Sequence, residues 1–289
     1  MKQFKYMAGG LEQDPIDERD YTLDTYVKMG EAGTGPVIIT ADVSDAFPKK
    51  VDHVADMASV KFQGQLGSCV AFATVAMKEC QEKKEHDAEV AAGKSYRRDE
   101  PHYNLSEQWL YWNCKKIDPW PNQQGTNIRS AMKVLSKIGV PTEQAWPYKA
   151  TTKDIGKPEA WAHLIARWTT IGSYYRITSL EEMKRALWIG PVVIGIPCFA
   201  EMYGNLVNGV VPYPQDPDTV YSYHAICVVG YDDDKELLKI KNSWSKFWGQ
   251  AGYGYLSYKY IMEFLKDAWA ATDISVTPDM LEGTRSLVE

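Results

Sequence analysis

The apolar residues of this chain change period near Gly190. Before it they recur at helical spacing, and after it they run as short strands. A helix buries one stripe and a strand one or both faces, so the two halves need different packing partners. In the first half, Phe72, Val75, Ala76 and Cys80 share a helical face behind Ser68, a natural N-cap. Asn104 with Glu107 predicts a capped start for a helix carrying Trp109 and Leu110. Ile128, Ala131, Met132, Leu135 and Ile138 form a third stripe, stopped by Gly139 and Pro141. Ser179 and Glu182 form a capping box for a fourth helix. Strands are predicted at Val192–Ile196, Ala225–Val229, Leu238–Lys241 and Tyr253–Tyr258, with a solvated turn at Asp232–Lys235. This is an α+β pattern with two lobes.

Composition narrows the function classes. The chain has 289 residues, 45% hydrophobic and 24% charged, which is ordinary for a globular protein. Net charge is −6 and no basic patch stands out, so a nucleic-acid partner is not expected. The longest apolar run, Pro191–Cys198, is strand-sized, so no membrane span is expected. The first residues lack the apolar core of a secretory signal, which gives the expectation of a cytoplasmic protein, or else a component of a virion or secreted particle. Five cysteines without a Cys-x-x-Cys pair argue against a disulfide framework, a zinc site or any other metal or cofactor. That leaves one cysteine available for chemistry.

Three stretches could carry that chemistry. In Gln63-Gly-Gln-Leu-Gly-Ser-Cys69, glycines allow a tight turn and Cys69 falls in the first helical turn, where unpaired amides and the helix dipole favour a thiolate. The Gln63 amide and the Cys69 N–H could together form an oxyanion hole. In Tyr223-His224-Ala-Ile-Cys, a histidine opens an apolar strand, where a base is rigidly held. In Lys241-Asn242-Ser-Trp244, an asparagine could orient that imidazole while Trp244 keeps water off the hydrogen bond. Taken singly, a helix-capping cysteine, a core histidine and a turn asparagine are equally plausible readings.

Together, the order Gln63, Cys69, His224, Asn242 resembles that of the papain-like (cathepsin-type) cysteine peptidases. Leu105-Ser-Glu-Gln108, Trp146-Pro-Tyr148 and Gly190-Pro-Val192 resemble further family motifs, so that the likeness spans about residues 48 to 272. The resemblance implies a helical left lobe (about 48–150), a β-rich right lobe (about 151–275) and an active site in the cleft between them. It implies peptide-bond hydrolysis of a polypeptide substrate, with Cys69 as nucleophile, His224 as base and acid, Asn242 as orienter and Gln63 as oxyanion donor. Trp244 would shield Asn242, Trp248 would line the leaving-group side, and Gly67 and Gly125 would border the substrate. The other reading is an idle papain-like fold kept as a structural component of a larger assembly.

The chain departs from the family in four places: Leu66 replaces a disulfide cysteine, Val70 follows the nucleophile, Gln124-Gly125 replaces a glycine pair, and Tyr223 precedes the histidine. The other four cysteines are therefore expected as buried free thiols. Residues 1–47 are surplus to such a domain, and 276–289 form a tail. The first segment carries Phe4, Tyr6, Tyr21 and Tyr26 and loop breakers at 30–36, so it is expected to double back across the surface, either partly occluding the cleft, the favoured reading, or packing on the back as a brace.

Overall fold

In the computed structural model, which describes residues 9–23, 25, 47–93 and 104–273, every residue from Cys69 to Cys80 is buried. They belong to α1 (Cys69–Ala91), which therefore runs through the middle of its lobe. Around it pack α2 (Glu107–Cys114), α3 (Ile128–Lys137) and the short α4 (Ala162–Ala166). Leu110, Tyr111, Ala131, Leu135, Ala162 and Ala166 share one apolar cluster with Cys69, Val70 and Met77. Gly139 ends α3 with φ +74°, and a Cβ there would stand 1.7 Å from the Ala166 carbonyl oxygen. Only glycine admits that approach.

Two capping expectations need correction. α2 is capped by Ser106, whose Oγ accepts the Trp109 N–H at 3.0 Å, and not by Asn104. Ser68 precedes α1 but makes no side-chain cap, because its Oγ is engaged by the Tyr148 hydroxyl at 2.6 Å. The first amides of α1 are thereby left uncapped by Ser68.

The second lobe is built on a seven-stranded antiparallel sheet. Its strands are β1 (Lys50–Asp52), β2 (Ile171–Arg176), β3 (Val192–Cys198), β4 (Ser222–Asp232), β5 (Leu237–Lys241), β6 (Tyr253–Ser257) and β7 (Asp267–Asp273). Their order is β2-β7-β3-β4-β5-β6, and β1 pairs with β4. Val193, Ala225, Cys227 and Val229 point into the helical core. Val192, Ile194, Ile226 and Val228 point into a second core with Leu238, Ile240, Trp244 and Leu256. Burial on both faces explains why β3 and β4 are apolar runs rather than alternating ones. α5 (Leu180–Ile189) and α6 (Tyr258–Phe264) flank the sheet. Tyr258, expected in a strand, opens α6 instead, because Ser257 caps its Tyr260 amide at 3.1 Å.

All five cysteines are buried and free. Among the described residues no helix is long and apolar enough to cross a membrane, and no group of side chains could hold a metal ion. Phe4, Tyr6, Tyr26, the 30–36 loop and the 276–289 tail lie outside the described residues.

Candidate active site

The loop before α1 is pinned from both lobes. Gly64 takes φ +66°, the Ser68 N–H donates to the Leu66 carbonyl at 2.7 Å, and the Gly67 N–H donates to Gln124 Oε1 at 2.9 Å. Gln63 is fully buried. Its Oε1 accepts the Ser243 hydroxyl at 2.5 Å and its Nε2 donates to the Leu66 carbonyl at 3.0 Å. Ser243 is a part of this site that the sequence did not reveal. It follows Asn242 directly, so one short segment holds both the Asn242 amide and the Gln63 side chain.

Across the cleft, the Ala225 N–H donates to Cys69 Sγ at 3.4 Å, which sets the start of β4 against the sulfur. His224 Nε2 lies 2.9 Å from Asn242 Oδ1. That oxygen also accepts the Ser243 N–H at 2.8 Å, which fixes the amide's orientation. Nε2 is therefore the donor, and Nδ1 carries the lone pair. Nδ1 has no hydrogen-bond partner among the described residues. Trp244 lies beside the imidazole with ring centroids 4.8 Å apart, and Tyr203 stacks on Trp244 at 5.1 Å. Burial pushes the Cys69 thiol up to about 11, against the pull of the Ala225 and Gly10 amides. Burial also pushes His224 down to about 4, opposed by its bond to Asn242. In this conformation both groups are neutral.

The cover over them is the chain's own arm. The Gly10 amide faces Cys69 and favours its thiolate, and the Gly10 carbonyl accepts the Thr126 N–H at 2.9 Å. Glu12 N–H returns a bond to the Thr126 carbonyl at 3.0 Å, and Leu11 N–H reaches the Tyr223 carbonyl at 3.3 Å. The arm thus bridges both walls as an added strand, parallel to Thr126. A Cβ on Gly10 would stand 2.1 Å from the Gly67 carbonyl oxygen. The Leu11 side chain is 5% exposed and presses on Gly195, where a Cβ would meet its Cδ2 at 2.5 Å.

Residues 47–264 match the family described as papain family cysteine proteases. The chain belongs to the papain family. An uncharacterized peptidase C1-like protein of Acanthamoeba polyphaga mimivirus is 26% identical over 261 residues, covering 82% of this chain and 79% of that protein. A cathepsin L-like proteinase of Fasciola hepatica is 26% identical, covering 72% of this chain and 60% of that protein. Among solved structures, xylellain, a cysteine protease from Xylella fastidiosa, superposes with a TM-score of 0.74 at 28% identity, over 95% of this chain and 99% of that one. The chain is thus a papain-family cysteine peptidase with the two-lobed α+β fold of that family.

Two expectations for this papain-family cleft change. Trp248 does not line it: the ring is 1% exposed, donates Nε1–H to the Met202 carbonyl at 3.0 Å and meets Trp244 edge-on. It buttresses Trp244. Gly125 does not pair with the strand that fills the cleft either; Thr126 does. The Gly125 carbonyl is taken by Lys115 Nζ at 2.8 Å. Gly125 instead provides clearance, with φ +95° and a virtual Cβ 2.9 Å from the Gly10 oxygen. Gly67 borders the arm, where a Cβ would stand 3.2 Å from the Gly9 carbonyl oxygen.

Proposed function

We propose that the protein is a cysteine endopeptidase held latent by residues 9–14 of its own chain. The observation that carries this reading is the arm itself. It fills the cleft, yet it offers the sulfur an N–H rather than a carbonyl carbon. The Gly10 carbonyl is bound to Thr126 and so is kept from the oxyanion donors. Such a segment blocks substrate and resists cleavage.

With the arm withdrawn, water reaches the pair and the desolvation that keeps both groups neutral is relieved. The Cys69 proton passes to His224 Nδ1. The thiolate attacks the scissile carbonyl carbon, and the oxyanion is held by the Cys69 N–H and Gln63 Nε2. Imidazolium Nδ1–H protonates the leaving amine, leaving a thioester. Nδ1 then takes a proton from water, which attacks the thioester and releases the acid and Cys69. Throughout, Asn242 keeps Nε2 engaged so that Nδ1 faces the chemistry.

The test uses peptide turnover by a full-length variant whose arm is displaced, Gly10→Val. Adding Cys69→Ala or His224→Ala should abolish turnover, and the pair together should be scarcely worse than either alone. Gln63→Ala should lower kcat roughly 10²- to 10³-fold. Turnover that survives Cys69→Ala sinks the mechanism. If Gly10→Val exposes Cys69 to alkylation but cleaves no peptide, the idle structural reading replaces it.

A further inference from the structure

Three residues beyond Leu11 the arm buries a carboxylate. Asp14 is 3% exposed, and its Oδ2 accepts the backbone N–H of Arg129 at 2.9 Å. That amide belongs to the first turn of α3, whose end is capped by Asn127. The Arg129 guanidinium stands 3.8 Å from Asp14 Oδ1. It also grips Asp20 through Nε at 2.9 Å and Nη2 at 2.5 Å, and donates to the Pro15 carbonyl at 2.6 Å. Arg176 on β2 donates to Asp20 at 3.1 Å and to Asp267 on β7 at 2.6 Å. Both guanidiniums lie over Trp269, at 5.6 and 4.7 Å from the ring.

Asp14 and Asp267 lie close together, and burial first and then Asp14 raise the Asp267 carboxyl to about 8. Asp14 Oδ1 and Asp267 Oδ2 have no hydrogen-bond partner among the described residues, and a proton on Asp267 relieves their repulsion. Three carboxyl groups with one proton then face two guanidiniums, a neutral cluster. The ion-pair partners of Arg129 among the described residues are Asp14 and Asp20. Withdrawal of residues 9–14 removes Asp14, so the Arg129 amide in the first turn of α3 loses its carboxylate acceptor while Asp20 stays on the guanidinium. With Asp14 docked Arg129 is 7% exposed, and loss of that carboxylate leaves a cation and a helix-terminal amide with an anion site to fill.

We infer that this place is a substrate subsite for an acidic side chain, read by Arg129 and the N-terminus of α3, and that Asp14 is its resident self-ligand. The inference rests on the latent-peptidase reading. It places an aspartate or glutamate two or three residues beyond the side chain that enters the Leu11 pocket. An extended chain spans roughly 10 Å in three residues, the reach the arm itself uses. The site lies on the Thr126 side of Cys69, away from Trp244, which is the acyl side of the scissile bond. Asp267 shapes the preference. While it holds a proton it donates to the incoming carboxylate, and Arg176 holds it in place. Burial and Asp14 raise it to about 8, so the acid preference is strongest below that pH.

The experiment uses full-length Gly10→Val and fluorogenic peptides with leucine for the Leu11 pocket, preceded two or three residues earlier by aspartate or asparagine. The aspartate peptide should show at least about tenfold higher kcat/KM, chiefly through KM. Arg129→Met in the same background should erase most of that ratio. Equal rates for the two peptides, or a preference that persists in Arg129→Met, overturn the inference. A second measurement needs no catalysis: calorimetric binding of a synthetic peptide of residues 9–22 to Gly10→Val. Asp14→Asn in the peptide should weaken binding at least about tenfold, and unchanged affinity also overturns the inference. Binding that depends on Asp14 without turnover of any peptide would sink the peptidase reading and leave the subsite standing.

Discussion

Two buried charge clusters flank the nucleophile helix, and they differ in who supplies the partners. Behind α1, Lys61 pairs with Glu79 at 2.8 Å and Glu107 at 2.7 Å, and donates to the Leu105 carbonyl at 3.0 Å. All of these residues belong to the packed body. In front, Arg129 and Arg176 pair with Asp14, Asp20 and Asp267; Asp14 lies on the segment that fills the cleft, while Asp20 is held beside β2 by the Tyr21 carbonyl and the buried Leu23. The chemistry is similar, but the consequences are not. The first cluster keeps its partners in every state of the cleft, so its energy belongs to folding. The second loses Asp14 when residues 9–14 leave, so that part of its energy belongs to docking. Burial of charge alone does not separate the two roles; the connectivity of the partners does.

Removing the cation from the rear cluster should produce the largest effect. Lys61→Met leaves buried Glu79 and Glu107 without their hydrogen-bonded cation, with the more distant charge of Lys241 left to oppose them. Glu107 is already raised to about 8 by burial, against the pull of Lys61. Breaking such a cluster costs about 3–5 kcal/mol. Chemical denaturation should show that loss in global stability, while Cys69 stays as inaccessible in the folded fraction as before. Equal losses of stability and latency would erase the distinction between the clusters.

Gly10→Val should do the reverse. The added carbons meet the Gly67 carbonyl, which is backbone and cannot turn aside. Overpacking of that kind costs about 1–3 kcal/mol, which here falls on docking. The expected result is roughly a 10- to 100-fold rise in kcat/KM with the melting temperature of the body unchanged. Leu11→Ala should follow with a smaller rise. It empties a pocket floored by Gly195, and a Leu→Ala change costs about 2 kcal/mol or more where the site cannot collapse. Here a freed arm can shift to recover part of that. Either substitution lowering the melting point without raising activity would make the arm a structural brace.

Much of this was legible in the residues. The helix that begins at Cys69 and the apolar strands β3 and β4 follow from periodicity, and the family likeness follows from the order of Gln63, Cys69, His224 and Asn242. Strands β2 and β7 were not legible. Ile171-Gly-Ser-Tyr-Tyr-Arg176 and Asp267-Ala-Trp-Ala-Ala-Thr-Asp273 lack a run of β-branched residues, and they are strands because they pair with each other and with β3. The caps misled for a related reason. Asn104, Ser106 and Ser68 are all competent cap residues, and only tertiary partners decide: Ser68 is engaged by Tyr148, while Ser106 donates to the Trp146 carbonyl and so turns its lone pair to the Trp109 N–H. Trp248 was misplaced because spacing cannot distinguish a wall tryptophan from one a layer deeper. The Asp14–Asp267 contact joins residues at opposite ends of the chain and has no local signature at all.

That contact supplies the smallest and most selective test of the comparison. Asp267 holds its proton to higher pH in the docked state. Asp267 is raised to about 8, first by burial and then by the hydrogen bond and charge of Asp14, against the pull of Arg176. In the released state it returns to the ordinary carboxylate range beside Arg176. The docked state therefore holds one more proton between that range and about pH 8. Docking is strongest in acid and weakens as pH rises through the window, by at most about 1.4 kcal/mol per unit. Transfer of the Cys69 proton to His224 on release stays within the pair and leaves the proton count unchanged. The measurement is the rate of Cys69 alkylation by iodoacetamide in the native chain divided by that in Gly10→Val, which cancels the thiol's own titration. The ratio should climb from about pH 5 and level off near pH 8, and Asp267→Asn should flatten it. A native ratio that stays flat would mean that docking does not raise Asp267 and that the front cluster, like the rear one, is indifferent to pH.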